Sequence, residues 1–179
     1  MNVLVEKGNK IMNFNLSYDD MFMNMAYLLA MKSKDENTKI GAVIVDDEHN
    51  VVSTGFNSFP RGINDNIKER QEKPEKYYYF SHAERNSIYN AARIGVSLKN
   101  CNLYTPGFPC TNCALAIIQS GIKEIILCEN WDYLPSSQKW KDEAKISKEM
   151  FDEAGIKIRY LNTDFLQIQA CKNGIVNNF

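Results

Sequence analysis

The sequence predicts a three-layer α/β fold in which a central sheet of about five strands carries helices on both faces. From residue 83 onward, segments of helical periodicity alternate with short β-branched runs. A glycine follows each of the three later helical segments, at positions 95, 121 and 155. Such alternation is typical of a layered α/β domain, and 179 residues are enough for one domain but too few for two ordinary ones.

The first predicted elements are a helix and a hairpin. Ser17 can cap a helix with Asp20 three residues on, and the following segment places four apolar residues on one face: Met21, Met25, Leu28 and Leu29. Residues 41–57, "GAVIVDDEHNVVSTGFN", form two β-rich runs around a polar turn at residues 46–50, which favours a hairpin.

The later elements follow in alternation. Helix "AERNSIYNAARIG" precedes strand "CNLYTP", and helix "CTNCALAIIQSG" precedes strand "IKEIIL". A last helix is predicted from a shared apolar face, formed by Trp140, Ala144, Phe151 and Ala154, and strand "IKIRYL" ends the pattern. We therefore expect an N-terminal extension over residues 1–16, one domain over residues 17–162 and a tail over residues 163–179.

Composition argues against several classes of protein. The chain has 21 basic and 22 acidic groups, whereas a protein that binds nucleic acid is usually more basic. No apolar run approaches the ~20 residues of a membrane span, and the N-terminus lacks the apolar core of a signal peptide. Five cysteines, an odd number at low density, favour reduced thiols. We expect a cytoplasmic protein that binds neither membranes nor nucleic acid.

Residues 58–80 are polar and are predicted to form a long loop, which inside a compact domain is usually functional. Four basic residues of this segment can donate hydrogen bonds to a phosphate group or can simply be solvated charges: Arg61, Arg70, Lys73 and Lys76. Its aromatic run, residues 77–80, can stack on a base or pack in the core.

Three other candidate residues have simpler interpretations. His49 is expected to be solvated in the hairpin turn. Cys101 and Cys128 are expected on strands as buried apolar groups. Cys171 in the tail is assigned no role.

Two short motifs predict a metal centre. In "FPCTNC", Cys110 and Cys113 are nearly one helical turn apart at a predicted helix start, where the helix dipole favours thiolate. His82 precedes another predicted helix in "SHAER". These three ligands leave one coordination position of zinc open, as in catalytic sites, and water held there has a lowered pKa. Glu84, two residues after His82, is then placed to move the proton.

Each motif alone has a simpler interpretation. A lone CxxC is compatible with a redox pair or with chance, and a lone histidine before a helix is more often a packing or capping residue. Together, H-x-E and P-C-x-x-C form the signature of zinc-dependent nucleobase deaminases.

The sequence resembles the deoxycytidylate (dCMP) deaminase family of the cytidine deaminase superfamily over most of its length. Four stretches carry the resemblance: "SKDENTKIGAVIVD", "STGFNSFPRGIND", "SHAERNSIYNAA" and "LYTPGFPCTNCALAIIQSGIKEIIL". It implies a cytidine deaminase-like α/β/α fold with a mixed sheet. It also implies hydrolytic deamination of dCMP to dUMP with release of ammonia, which supplies dUMP for dTMP synthesis.

The resemblance assigns roles to the metal motifs. It implies that His82, Cys110 and Cys113 bind one catalytic zinc ion per chain. It implies that Glu84 takes a proton from the water, protonates N3 of the pyrimidine and delivers a proton to the departing amine.

The resemblance also implies substrate contacts and an assembly. Asn57 contacts the sugar 3′-hydroxyl, the Ala83 backbone N–H contacts the base, and the segment around Asn37 and Lys39 lies near the 5′-phosphate. It further implies a homo-oligomer, often a hexamer.

Two departures from the family pattern limit these implications. Regulated members have G-Y-N-G where this chain has Phe56 and Ser58 around Asn57, which leaves open whether dCTP activates and dTTP inhibits the enzyme. Some members bind a second zinc ion through ligands before the catalytic histidine, but residues 58–81 contain no His or Cys.

Two rival functions are compatible with the same motifs. The same chemistry can serve cytidine, dCTP, a 5-modified dCMP or a tRNA adenosine. Alternatively, the protein is a zinc-stabilised nucleotide-binding protein without turnover, although Glu84 would then have no proton to move.

Overall fold

The computed structural model describes residues 16–129, 131 and 138–163 in full, and the backbone of four further strand segments, residues 4–7, 10–13, 169–172 and 175–178. In chain order the strands are β1 (Leu4–Lys7), β2 (Lys10–Asn13), β3 (Gly41–Val45), β4 (Val51–Phe56), β5 (Asn102–Thr105), β6 (Glu124–Cys128), β7 (Lys157–Leu161), β8 (Gln169–Lys172) and β9 (Ile175–Asn178). The helices are α1 (Tyr18–Ala30), α2 (Lys76–Tyr79), α3 (Ala83–Ile94), α4 (Thr111–Ser120) and α5 (Gln138–Ala154), with a 3₁₀ turn at Lys68–Gln71.

Five strands form a mixed central sheet in the order β4-β3-β5-β6-β7. β3 pairs antiparallel with β4 and β5, whereas β5, β6 and β7 are parallel. The connection from β5 to β6 contains α4, and the connection from β6 to β7 contains α5, because two parallel strands need a crossover that is usually a helix. The predicted five-stranded α/β/α architecture is confirmed.

Alternate residues of the inner strands face two separate apolar clusters. In β3, Ala42 and Ile44 pack in the cluster that includes α3, α4 and Phe151 of α5. Their neighbours Val43 and Val45 pack against α1 on the opposite face. Because the side-chain period of a strand is two residues, a sheet covered on both faces needs such continuous apolar runs.

Local caps define the helix ends that the sequence predicts. The hydroxyl oxygen of Ser17 accepts a hydrogen bond from the backbone N–H of Asp20 at 3.0 Å, which caps α1. Glycines in the left-handed region end α3, α4 and α5, with φ values of 76° at Gly95, 78° at Gly121 and 70° at Gly155.

A glycine on β4 sets the position of α3. A Cβ atom on Gly55 would lie 2.4 Å from the backbone nitrogen of Ser87 and 2.5 Å from the carbonyl oxygen of Ala83. The helix therefore packs directly on the strand backbone, which fixes the height of the helix start above the sheet.

Residues 58–80 contain more regular structure than the predicted loop. The 3₁₀ turn and α2 both lie in this segment. At the end of α2, Phe80 and Tyr79 pack against buried Phe59, with ring centroids 4.5 and 6.4 Å from that of Phe59. The exposed rings are those of Tyr77 and Tyr78. The aromatic run is thus divided between packing and exposure.

The apolar face predicted for α1 is only partly right. Met21, Met25 and Leu29 are half-buried and Leu28 is exposed, whereas the buried residues of this helix are Phe22, Met23, Ala26 and Ala30.

The other local predictions are mostly right. His49 is exposed in the hairpin turn, as predicted, but its ring also stacks on Tyr18 with centroids 3.9 Å apart. Cys128 ends β6 and is buried, whereas Cys101 is buried one residue before β5 rather than on it. Ala154, predicted on the apolar face of α5, is exposed. The Cys171 side chain lies outside the described residues. Within the described chain, no helix is long and apolar enough to cross a membrane.

Candidate metal centre and substrate site

Two helix starts bring the predicted metal ligands together. His82 is the residue before α3, and Cys110 is the residue before α4. Cys113 is buried in the first turn of α4. One ligand atom from each of the three residues falls within a cluster whose members all lie within 4.8 Å of one another. Among the described residues, this is the one such cluster of three His, Cys, Asp or Glu ligands.

The distances within this cluster fit zinc. The sulfur atoms of Cys110 and Cys113 lie 3.3 and 3.5 Å from Nδ1 of His82. Tetrahedral zinc with ordinary Zn–S and Zn–N bonds separates a sulfur and a nitrogen ligand by about 3.6 Å. Three soft or borderline donors at that spacing are a suitable ligand set for zinc, with one coordination position left over.

The electrostatics of the two thiols also favour a cation. Hydrogen bonds from Cys113 and His82 lower the pKa of the Cys110 thiol below its usual value, which favours its thiolate form. The pKa of Cys113 is raised, first because it shares a hydrogen bond with that thiolate and second because it is buried. Thiolate is the form of cysteine that binds zinc, so the lowered pKa of Cys110 suits a bound cation.

Glu84 lies in the first turn of α3, two residues after His82, and is 3% exposed. Burial raises the pKa of its carboxyl group, and the neighbouring His82 opposes that effect. A buried carboxyl group beside three candidate metal ligands can accept and return a proton while shielded from bulk water.

A short backbone bridge connects Asn57 with the candidate ligand His82. The backbone N–H of Ser58 donates to the carbonyl of Ser81 at 3.0 Å, and the N–H of Ser81 donates back at 2.9 Å. Asn57 and His82 thus flank the same two-residue bridge. The side-chain amide of Asn86 also donates to the carbonyl of Phe56 at 2.7 Å, which ties the end of β4 to α3.

The side chain of Asn57 is held by the segment that follows α1. Its Nδ2 donates to the carbonyl of Thr38 at 2.7 Å and to Oδ2 of Asp35 at 3.2 Å. Its Oδ1 accepts from the backbone N–H of Ile40 at 2.9 Å. Asn57 is 6% exposed and Asp35 is 4% exposed. The structure therefore places Asn57 beside the segment that contains Asn37 and Lys39.

The other predicted substrate residues occupy different positions. Ala83 is the first residue of α3 and is buried, so its backbone N–H lies at the helix start. Asn37 is exposed and lines a surface cleft of about 600 Å³ with five other residues: Glu36, Lys68, Gln71, Glu72 and Lys73. The exposed Lys39 donates from its ammonium group to the carbonyl of Ser33. The lining of this cleft does not include the three candidate ligands.

Sequence reasoning missed two residues near the site, Asp35 and Trp140, and it assigned Lys76 to a phosphate or to solvent rather than to a buried partner. Asp35 and Lys76 form an ion pair at 2.6 Å, with side chains only 5% and 12% exposed. Trp140, assigned to a core face, has its ring centroid 6.3 Å from that of His82. An Asp followed by Asn and Thr at two and three residues is typical of an Asx turn, which is the signal that was available for Asp35. The sequence carries no such signal for Trp140.

Comparisons with known proteins agree with this geometry. Residues 16–129 match the family model of the cytidine and deoxycytidylate deaminase zinc-binding region. The chain is 38% identical over 147 residues to an uncharacterized deaminase of Aliivibrio fischeri, with 82% of this chain and 95% of the relative covered. It is 36% identical over 149 residues to the deoxycytidylate deaminase of Homo sapiens, with 80% and 79% covered.

A solved structure supports the fold. The crystal structure of dCMP deaminase from the cyanophage S-TIM5, in complex with dCMP and dUMP, superposes with a TM-score of 0.64 at 19% identity. The superposition covers 82% of this chain and all of the other. The family model spans more than half of the chain and includes all three candidate ligands and Glu84. The chain belongs to the zinc-binding cytidine and deoxycytidylate deaminase family.

Proposed function

We propose that the protein catalyses the zinc-dependent hydrolysis of dCMP to dUMP and ammonia, through a domain formed by residues 17–162. The observation that carries the proposal is the cluster of His82, Cys110 and Cys113 beside the buried carboxyl group of Glu84. The relatives named deoxycytidylate deaminase support the choice of dCMP, since the chain is 36% identical to the human protein across four-fifths of its length.

The chemistry divides between the metal and Glu84. His82, Cys110 and Cys113 would hold the zinc ion, which when bound would lower the pKa of a coordinated water towards ~7 and so make a nucleophile available for C4 of cytosine. Glu84 takes the proton that this water releases and places it on N3 of the ring. It then takes the proton of the hydroxyl group added at C4 and passes it to the exocyclic amine, so that the C4–N bond breaks, ammonia leaves and C4 becomes the carbonyl carbon of dUMP. The burial of Glu84 suits this role because a desolvated carboxyl group exchanges protons with a bound ligand rather than with solvent.

The substrate contacts are proposed from the same arrangement. Asn57 accepts a hydrogen bond from the sugar 3′-hydroxyl, and the N–H of Ala83 at the start of α3 binds the base. Asn37 and Lys39 lie near the 5′-phosphate. The hydrogen bonds of Asn57 to this segment support a shared role in holding the sugar and phosphate.

Several wider properties belong to the same proposal. The protein works as a homo-oligomer, with a hexamer as the first candidate, in the cytoplasm, and supplies dUMP for dTMP synthesis. It holds one catalytic zinc ion per chain. Regulation by dCTP and dTTP is the aspect that Phe56 and Ser58 put in question, and turnover measured with and without each nucleotide decides it.

The test is a substrate panel with the zinc-loaded protein. dCMP, dCTP, cytidine and a tRNA anticodon stem-loop are offered side by side, and ammonia release is measured for each. We expect the highest kcat/KM for dCMP. Turnover of the stem-loop alone, or of cytidine in preference to dCMP, contradicts the proposal. Absence of turnover with every compound favours the zinc-stabilised binding protein.

A further inference from the structure

The hydrogen bonds around Asn57 leave its side chain only one way to bind a ligand. A carboxamide has two donor hydrogens and two acceptor lone pairs. Both hydrogens of Nδ2 are committed, to the carbonyl of Thr38 and to Oδ2 of Asp35. One lone pair of Oδ1 is committed to the N–H of Ile40. Within the described residues, one acceptor position on Oδ1 is therefore all that the carboxamide retains for a ligand.

The backbone of Asn57 is committed as well, so the residue cannot turn to offer another group. Its N–H donates to the carbonyl of Ile40 at 3.0 Å, and its carbonyl accepts from the hydroxyl of Ser33 at 2.8 Å. A flipped carboxamide would direct Nδ2 at the N–H of Ile40 and Oδ1 at two acceptors. Because the residue is 94% buried, water cannot readily compensate for those mismatches.

Asp35 is the centre of this arrangement. Its Oδ1 accepts from the backbone N–H groups of Asn37 and Thr38 at 2.8 and 3.0 Å, which forms the Asx turn. Its Oδ2 accepts from Asn57 and from the ammonium group of Lys76. The carboxylate thus has all its acceptor directions occupied by donors, and it requires a donor at Nδ2 of Asn57.

We propose that Asp35 is a positioning residue that locks Asn57 as a pure hydrogen-bond acceptor, so that the site selects nucleotides with a free 3′-hydroxyl. This inference rests on the proposed function, in which Asn57 contacts the sugar. A free 3′-hydroxyl brings the hydrogen that the acceptor needs. An esterified 3′-oxygen has no hydrogen and adds a phosphate charge, so it faces the lone pair of Oδ1 without a bond. The site therefore rejects 3′-esterified nucleotides, including those inside a polynucleotide.

The test compares three substrates with the zinc-loaded full chain. They are dCMP, its 2′,3′-dideoxy analogue, and a 5′-phosphorylated dinucleotide whose 5′ residue is deoxycytidine. We expect kcat/KM of the wild type to favour dCMP over each by about tenfold or more, the effect of leaving a buried polar group unpaired. In Asp35→Asn the Asx turn can persist through Oδ1, but the new amide confronts Lys76 and Asn57 with a donor.

Asp35→Asn should lower the preference for dCMP to within about threefold, mainly through a higher KM for dCMP with little change in kcat. The matched control is Asp19→Asn, which breaks the bidentate pair between Asp19 on α1 and Arg159 on β7. This variant should lose thermal stability but keep the wild-type preference for dCMP. A general loss of stability would lower kcat/KM for all three substrates equally, so the ratio separates positioning from folding. If Asp35→Asn does not fold, Asn57→Ala gives the same comparison, with an expected preference near one.

The possible results have distinct meanings. Retention of the wild-type preference in Asp35→Asn or in Asn57→Ala overturns the inference. Wild-type protein that deaminates dCMP and the dinucleotide equally well overturns the inference alone and leaves the proposed function standing. Wild-type protein without any turnover of dCMP refutes the proposed function and the inference with it.

Discussion

Replacement of Gly55 by alanine tests how the fold positions the metal centre. The added Cβ would lie 2.4 Å from the backbone nitrogen of Ser87 and 2.5 Å from the carbonyl oxygen of Ala83. Both obstacles are backbone atoms of α3, so no side-chain rotation relieves the overlap. The helix that begins just after His82 and carries Glu84 has to move away from β4.

The structure gives the size of that movement. Ordinary contact at 3.4 Å is restored only if α3 shifts by about 1 Å. Overpacking of this kind costs about 2 kcal/mol of the free energy of unfolding. For a chain of this size, that corresponds to a melting temperature lower by about 4–8 °C. Displacement of a catalytic group by about 1 Å is expected to lower kcat/KM about 100-fold.

The assay combines thermal melting with dCMP turnover and zinc content per chain. Gly155→Ala is the matched control, because Gly155 has φ of 70° with no atom within 4 Å of an added Cβ. The control should lose ~1 kcal/mol from the left-handed backbone alone and keep its activity. Gly55→Ala with wild-type activity and wild-type melting would refute the reasoning, and equal loss of activity in both variants would mean that stability alone sets the rate.

Three further predictions concern the ligands and the surface of the fold. Cys113→Ala should bind less than about one-tenth of the zinc held by the wild type, measured by atomic absorption, because only His82 and Cys110 remain as ligands and two ligands bind zinc too weakly. Removal of zinc by a chelator should abolish ammonia release, and added zinc should restore it, whereas activity in the chelated protein would contradict the metal's role. Hydrogen bonds from Arg159 hold the pKa of Asp19 below its usual 3.8, against the opposing effect of burial. The stabilising effect of this pair is therefore present at neutral pH and lost as the pH falls below about 4. Arg159→Gln should melt earlier than wild type at pH 7, with a difference that shrinks in acid; a constant difference would contradict the pair's contribution.

The parts of the site that could be predicted are those encoded by local spacing. His82 and Glu84 share one helix start, and Cys110 and Cys113 share another, so each pair is specified within a few residues. Convergence of the two helix starts then follows from the alternation of helices and strands. The caps were predictable for the same reason, because Ser17 and the terminal glycines act on their own helices.

Two arrangements could not be predicted, one because its residues are far apart in the sequence and one because it places a polar residue on an apolar helix face. Asp35 and Lys76 meet because residues 58–80 contact the segment that follows α1, and from the sequence alone a charged residue in a polar stretch is expected to be solvated. Ser147 of α5 is buried, and its hydroxyl donates to the carbonyl of Glu143 at 3.0 Å. This hydrogen bond allows a polar residue to lie on the buried face of the helix, where the apolar pattern predicted Ala154. Periodicity has no means of detecting either arrangement.

The most direct test of the proposed mechanism is ammonia release from dCMP by the wild type and by Glu84→Gln, each loaded with zinc. Glutamine preserves the shape of the buried side chain but cannot transfer a proton. We predict about one zinc ion per chain in both proteins, one ammonia per dUMP in the wild type, and turnover lower by about 10² to 10⁴ in the variant. A zinc-loaded Glu84→Gln protein that deaminates dCMP at the wild-type rate would contradict the role of Glu84 as the proton-transferring group.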